Sequence, residues 1–214
     1  MKNAGKACNN RLYRHIRTFE KIVKNYFVIY FTADTHFGHK NIIGSCARPF
    51  QNVEEMDEIM IARWNERVTA NDKVYIIGDM FFRCQNPEEI LQRLRGRKYL
   101  IIGNHDDSWM KKVDLTKYFV GVDHYLQFSD GAHAITLCHY PLLTWKSPQK
   151  TYMVHGHIHA NTDSDYWPLI CVRKNVLNAG VDIHDFRPVA WNELVENNRR
   201  FKAMHGENTS DGIQ

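Results

Sequence analysis

The chain has 214 residues, of which 43% are hydrophobic, and this length is sufficient to bury the core of one globular domain. No apolar run approaches the ~20 residues that a helix needs to cross a bilayer, so the sequence predicts no membrane span. The formal net charge is +4, but residues 1–26 hold seven basic residues and one acidic residue, so the excess charge describes an N-terminal arm and not a nucleic-acid-binding body.

The pattern along the chain predicts a basic arm over residues 1–26, a single domain over 27–201 and a polar tail over 202–214. Four apolar residues of the arm recur at helical spacing, which predicts an amphipathic helix that docks on the domain or on a partner: Leu12, Ile16, Phe19 and Val23. Nucleic acid is an alternative partner for this arm, although a solvated basic helix face is the favoured interpretation.

The five cysteines are odd in number and contain no C-x-x-C pair, so they are predicted to be free thiols in a reducing compartment. The N-terminus shows no apolar stretch typical of a secretory signal. Together these features predict a cytoplasmic location.

The first predicted strand covers residues 26–33 and ends immediately before Asp34. A capping box of Asn52 and Glu55 then predicts a helix that continues to about residue 68. The next predicted strand, residues 73–78, ends at Asp79.

A second helix is predicted after Asn86, with Pro87 in its first turn and Gly96 beyond its end. The strand that follows, residues 98–102, ends before Asn104. One strand-helix-strand unit fits between Asp79 and Asn104, so both residues are expected at the same edge of a parallel sheet.

Beyond residue 109 the pattern changes to short strands, which predict a second sheet. These strands cover residues 124–128, 134–139, 151–155 and 175–179. They are expected to bring His139, His157 and His159 to one end of that sheet.

Five short blocks carry the chemistry of the chain, and four of them follow predicted strands. They are Asp34-Thr35-His36, Gly78-Asp79, Gly103-Asn104-His105-Asp106, His139 and Gly156-His157-Ile158-His159. A mixture of carboxylate, amide and imidazole ligands suits manganese, iron, zinc or nickel, whereas a structural zinc site would show several cysteines. Each block alone is a weak signal, but their number and order make the set specific.

In this order the blocks resemble those of the calcineurin-like metallophosphoesterase superfamily, and residues 34–39 resemble a compact microbial or phage-type subgroup. The resemblance covers about residues 28–194. It implies an α/β fold, a four-layer α/β/β/α sandwich of two mostly mixed sheets flanked by helices. One departure is that Gly78-Asp79 is followed by Met80-Phe81-Phe82, where many relatives carry a further acidic residue.

The resemblance also implies two divalent metal ions, with manganese favoured and iron, zinc or nickel as alternatives. The first ion would be held by Asp34, His36, Asp79 and His159, and the second by Asp79, Asn104, His139 and His157. A hydroxide that bridges the two ions would attack phosphorus. His105 would act as the catalytic histidine and Asp106 would orient it.

Three further residues are predicted to contact the substrate phosphate: His39 and Asn41, which lie just beyond the first ligands, and Arg48, whose planar guanidinium suits a phosphate. For His39 and Asn41 a role in the turn is the alternative. Arg83 could bind a phosphate in the same way as Arg48, but for both residues an ordinary solvated arginine is the more common case.

The resulting prediction is a phosphodiesterase that acts on a small phosphodiester or nucleotide. The alternatives are a phosphomonoesterase, a nuclease recruited to nucleic acid by the basic arm, and a binding scaffold without turnover. The oligomeric state does not follow from the sequence.

Overall fold

A computed structural model describes residues 27–206. The predicted helix of the arm, with Leu12, Ile16, Phe19 and Val23, lies outside these residues, as do residues 207–214. The described strands are β1 Ile29–Thr32, β2 Lys73–Ile77, β3 Arg97–Ile101, β4 Phe119–Asp123, β5 Tyr125–Ser129, β6 Ala134–Cys138, β7 Tyr152–His155, β8 Val176–Asn178 and β9 Val189–Ala190. The described α-helices are α1 Ile42–Ser45, α2 Val53–Arg67, α3 Pro87–Arg93, α4 Asp107–Met110, α5 Trp167–Cys171 and α6 Trp191–His205.

The first sheet has the strand order β4-β3-β2-β1-β9. Strands β1 to β4 are parallel to one another, and β9 pairs antiparallel with β1. The predicted strands at β1, β2 and β3 are present, and the carboxyl ends of all three lie at one edge. The sequence pattern does not indicate β4, because Gly121 interrupts its apolar residues.

The second sheet contains the four strands that the sequence predicts, in the order β5-β6-β7-β8. Strands β5 and β6 are antiparallel, whereas β6, β7 and β8 are parallel. The carboxyl ends of β6, β7 and β8 therefore also share one edge.

Alternate residues along the strands of the first sheet face two separate hydrophobic cores. In β2, Val74 and Ile76 face a core formed with helices α2 and α3, while Tyr75 and Ile77 face the second sheet. The outer face of the second sheet packs on α5 through Met153, Val176, Trp167 and Ile170. The predicted α/β/β/α sandwich is thus confirmed.

Local sequence signals place the two helices of the first core. Asn52 caps α2 by accepting a hydrogen bond from the Glu55 N–H at 2.8 Å, and the Glu55 carboxylate accepts from Gln51 N–H at 2.6 Å. The predicted cap at Asn86 is wrong in one respect, because the Asn86 side chain makes no capping hydrogen bond; α3 begins with Pro87 instead.

The predicted boundary at residue 202 falls inside helix α6, which continues to His205. The Lys202 ammonium is held by the backbone carbonyls of Arg173 and Val176, so this segment is packed against the domain. The polar composition of this segment predicts fraying, but the aliphatic part of the Lys202 side chain is partly buried against the domain.

The described cysteines, Cys46, Cys84, Cys138 and Cys171, are all free, as the sequence predicts. Among residues 27–206 no helix has the length and apolarity to cross a membrane.

Candidate metal centre

The seven predicted metal ligands converge where the carboxyl ends of the parallel strands of both sheets meet. Strands β1, β2 and β3 lead to Asp34 and His36, Asp79, and Asn104, while β6 and β7 lead to His139, His157 and His159. Backbone hydrogen bonds join the first two loops, since Asp34 N–H donates to the Gly78 carbonyl and His36 N–H to the Asp79 carbonyl, both at 3.0 Å.

Three groups of side chains among residues 27–206 have the spacing of a metal site, and within each group the ligand atoms lie within 4.8 Å of one another. The first group is Asp34, His36 and His159, and the second is Asp79, His139 and His157. The third, Cys46, His159 and Asp182, shares His159 with the first group. Asn104 joins the second group, because its Oδ1 lies 3.0 Å from both His139 Nε2 and His157 Nδ1.

Asp79 lies between the first and second groups. Its Oδ2 is 3.7 Å from His36 Nε2 in the first group and 3.4 Å from His139 Nε2 in the second. Burial alone would raise the pKa of this carboxyl, but the hydrogen bond and charge of His139 lower it to about 2. Asp79 is therefore an ionised carboxylate available to both groups.

Five of the seven predicted ligands have a left-handed backbone conformation. Their φ angles range from 50° to 71°, and they are Asp34, His36, Asp79, His157 and His159. For residues other than glycine this conformation costs on the order of 1 kcal/mol each, and such strain is concentrated at functional sites. The backbone is thus bent to direct these side chains into a common space.

His36 is a buried imidazole that is suited to bind a metal ion. The residue is 2% exposed, and neither of its ring nitrogens has a hydrogen-bond partner among residues 27–206. Burial lowers the pKa of His36 to about 2, so the ring is neutral and offers a lone pair. A buried polar atom without a partner is costly, and coordination of a metal ion would remove that cost.

Asp34 is fully buried at the other side of the first group. Burial raises the pKa of its carboxyl to about 6, while the two oxygens accept from the His157 N–H at 3.0 and 2.9 Å. The donor set of this group, one carboxylate and two imidazoles, fits a divalent transition metal.

The sequence profile of the calcineurin-like phosphoesterases matches residues 27–211 of this chain, which is most of its length. The chain belongs to the calcineurin-like phosphoesterase family. Members of this family typically depend on two metal ions and hydrolyse phosphoesters, so this phosphoesterase is expected to act on a small phosphorylated substrate.

Similar proteins span nearly the same length as this phosphoesterase. An uncharacterized protein of Methanocaldococcus jannaschii is 33% identical over 171 residues, covering 78% of this chain and 89% of that protein. The Gene 66 protein of Mycobacterium phage L5 is 24% identical over 216 positions, covering 86% and 97%. A solved structure of a protein of unknown function from Aquifex aeolicus has a TM-score of 0.62 and 26% identity, covering 80% of this chain and 99% of that chain.

Asp106 of this phosphoesterase does not orient His105, and this corrects the prediction for Asp106. Its buried carboxylate accepts from four N–H groups at 2.7–2.9 Å: those of Asp79, Met80, Gly103 and the Trp109 indole. Asp106 therefore fixes the backbone on both sides of Asp79. No described contact joins its carboxylate to the imidazole of His105.

Arg48 corrects a second prediction, because it is not available to bind a substrate phosphate. Its guanidinium is buried, forms a two-point ion pair with Asp182, and donates to the backbone carbonyls of Thr35 at 2.9 Å and Asp34 at 2.7 Å. The role of Arg48 is to hold the loop that carries Asp34 and His36.

Asp182 is a residue of this site that the sequence analysis missed. Besides Arg48, its carboxylate contacts His159 Nδ1 at 2.8 Å. Burial acts to lower the pKa of His159, but the hydrogen bond to Asp182 raises it. The sequence contains a signal for Asp182, since this residue follows strand β8 closely, as Asp34 follows β1 and Asp79 follows β2.

The remaining predicted residues, His105, His39 and Asn41, lie at different distances from the ligands. The side chain of His105 is 39% exposed, and its Nε2 lies 3.9 Å from Asp79 Oδ2. The ring of His39 lies 5.4 Å from that of His36, whereas Asn41 is exposed at the start of α1 and its carbonyl accepts from Ser45. His39 thus lies beside the first group and Asn41 lies farther along the loop.

Close approach of the loops depends on Gly103. A Cβ at this position would lie 2.2 Å from Asp79 Oδ1 and 2.5 Å from Asp79 N, closer than any two such atoms can approach. The loop that carries Asn104 can therefore reach Asp79 only if residue 103 lacks a side chain.

Gly103→Ala is expected to lower the free energy of unfolding by about 1–3 kcal/mol, because the two loops must separate to accept the methyl group. Thermal unfolding would measure this change. Gly44→Ala is a matched control, since among residues 27–206 no atom beyond its chain neighbours and the backbone of its own helix lies within 4 Å of the added Cβ, and it is expected to change the stability by less than about 1 kcal/mol. Equal unfolding temperatures for the two variants would contradict the steric argument.

Proposed function

We propose that this protein hydrolyses a small phosphodiester or a nucleotide at a centre of two divalent metal ions, with manganese as the favoured metal. The observation that supports this most directly is the position of Asp79 between two ligand groups, each held by residues in left-handed backbone conformations. A shared carboxylate suits two ions ~3.5–4 Å apart.

The ligand assignment follows the two groups. Asp34, His36, Asp79 and His159 would hold the first ion, and Asp79, Asn104, His139 and His157 would hold the second. Ions in these positions would supply Lewis-acid polarisation of phosphate and activation of water for attack on phosphorus.

The chain orients its imidazoles for this task. His139 Nδ1 lies 2.9 Å from the Ile77 carbonyl, an acceptor, so this nitrogen carries a proton; Nε2 faces Asn104 and Asp79 and would bind the ion once it has lost its own proton. Asp182 fixes His159 in the same manner through Nδ1. Such partners of ligand imidazoles determine which nitrogen is free to bind a metal.

His105 has the position required of a proton donor. It is partly exposed, lies next to Asp79, and its backbone N–H donates to Asp79 Oδ1 at 2.9 Å. From there the imidazole can donate a hydrogen bond to a phosphoryl oxygen or a proton to the leaving oxygen, an effect typically worth ~10²–10⁴-fold.

The preference for a diester is supported by the charge beside the centre. A phosphomonoester is a dianion at neutral pH, and a guanidinium in contact with the hydrolysed phosphate would favour it. Arg48, the buried arginine nearest the ligands, is instead paired with Asp182. The monoanion of a diester requires less compensating charge.

Hydrolysis of bis-p-nitrophenyl phosphate and of p-nitrophenyl phosphate, each with added Mn²⁺, tests this proposal. We expect turnover of both or of the diester alone, a higher kcat/KM for the diester, and no turnover after treatment with a chelator. A higher kcat/KM for the monoester would replace the diester assignment by a phosphomonoesterase. Two bound metal ions without turnover of either ester would favour the binding scaffold.

A further inference from the structure

Arg83 is a cation in the loop that follows Asp79, and it has no role in the functions described so far. It is exposed, and it has a left-handed conformation with φ of 56°. Among residues 27–206 its guanidinium forms neither an ion pair nor a hydrogen bond. It packs on the ring of Phe82, whose centroid lies 5.2 Å from Arg83 Cζ.

Phe82 connects this guanidinium to the metal centre. Its ring centroid lies 4.7 Å from that of His105 and 4.2 Å from that of His39. The side chains of Arg83, Phe82 and His105 therefore form a continuous row that ends beside Asp79. A cation that rests on an aromatic face retains its N–H edges for a ligand.

The backbone that carries this row is held in place from two sides. Phe82 N–H donates to the Phe37 carbonyl at 3.2 Å, and Phe37 and Phe81 form a parallel bridge. On the other side, Gly38 approaches Cys84 so closely that a Cβ at residue 38 would lie 2.7 Å from Cys84 Cα. The carboxylate of Asp57 fixes Gly38 by accepting its N–H at 3.0 and 3.2 Å.

The guanidinium of Arg83 has the shape and charge to bind a phosphate at the end of this row. The N–H edges of a planar guanidinium match the oxygens of a phosphate, and a left-handed arginine is maintained at a strain cost that suits a functional position.

We propose that Arg83 binds a second phosphate of the substrate, located beyond the one that is hydrolysed, so that nucleotides with two phosphates are preferred over nucleotides with one. This inference rests on the proposed function for the position of the first phosphate. Phe82 acts as a positioning residue, because it holds the guanidinium at the end of the row.

Calorimetric binding of thymidine 3′,5′-bisphosphate and thymidine 5′-monophosphate in the presence of Mn²⁺ tests the proposal, with chromatography to verify that each nucleotide remains intact. The wild-type protein is expected to bind the bisphosphate about tenfold more tightly, as one charge-assisted phosphate contact provides. Arg83→Gln, which has the same backbone requirement, is expected to bind both nucleotides with equal affinity.

Arg97→Gln is the matched control. Arg97 is exposed at the start of β3, at the opposite edge of the sheet, so the same change of charge there is expected to preserve the tenfold preference. Equal binding of both nucleotides by the wild type, or a preference that survives in Arg83→Gln, would overturn the proposal. Because binding is measured apart from turnover, a preference for the bisphosphate without hydrolysis of any ester would contradict the proposed function and leave the Arg83 assignment intact.

Discussion

Asp106→Asn is expected to lower the free energy of unfolding by about 3 kcal/mol or more, with a decrease in Tm of roughly 6–12 °C. Each Asp106 oxygen accepts two N–H groups, so an amide would place an NH₂ against two donors and leave both without an acceptor. Burial raises the pKa of Asp106, and the N–H donors act against that rise. Thermal unfolding of the metal-free protein measures the effect directly.

Asp107→Asn provides the control for this variant. Asp107 is the neighbouring residue and is exposed in the first turn of α4. Its replacement by asparagine makes the same chemical change as Asp106→Asn. We expect its Tm to lie within about 2 °C of the wild-type value. If Asp106→Asn unfolds at the same temperature as Asp107→Asn, the four hydrogen bonds do not stabilise the loop as proposed.

Asp79→Asn is expected to have the largest effect on activity, with a loss of more than ~10³-fold in kcat because activation of water depends on the ions that Asp79 would share. The fold should persist, since an asparagine Oδ1 can still accept the His105 N–H. Metal analysis of the purified variant should show at most one tightly bound ion per chain, compared with two in the wild type.

Two measurements separate this interpretation from simple misfolding. The Tm of metal-free Asp79→Asn should remain close to that of the metal-free wild-type protein, and Asp107→Asn should retain both turnover and metal content. A variant that binds two ions and hydrolyses bis-p-nitrophenyl phosphate at the wild-type rate would exclude Asp79 as a shared ligand.

Much of the fold follows from local sequence signals. The apolar runs at β1, β2 and β3, and the short runs of the second sheet, predict strands that are present, because each buries alternate residues on two faces. The signal fails where a glycine breaks the pattern, as in β4, and where a polar segment is packed through a few long side chains, as at Lys202.

The candidate site could be anticipated only in part. Residues at strand ends, such as Asp34, Asp79 and His139, are indicated by motif and by order, and the structure brings them together. The residues that support them are harder to find: the ion pair between Arg48 and Asp182 joins residues 134 positions apart, and no local pattern connects them.

The sequence by itself determined the family and the sandwich of two sheets, and it supplied the predicted set of metal ligands. These properties depend on strand periodicity and on short motifs, which are local. Only the tertiary structure decided that Asp106 supports the backbone of Asp79 and that Arg48 is paired with Asp182. The physical reason is that a hydrogen-bonding side chain acts according to the partner it meets, and here that partner comes from a distant part of the chain.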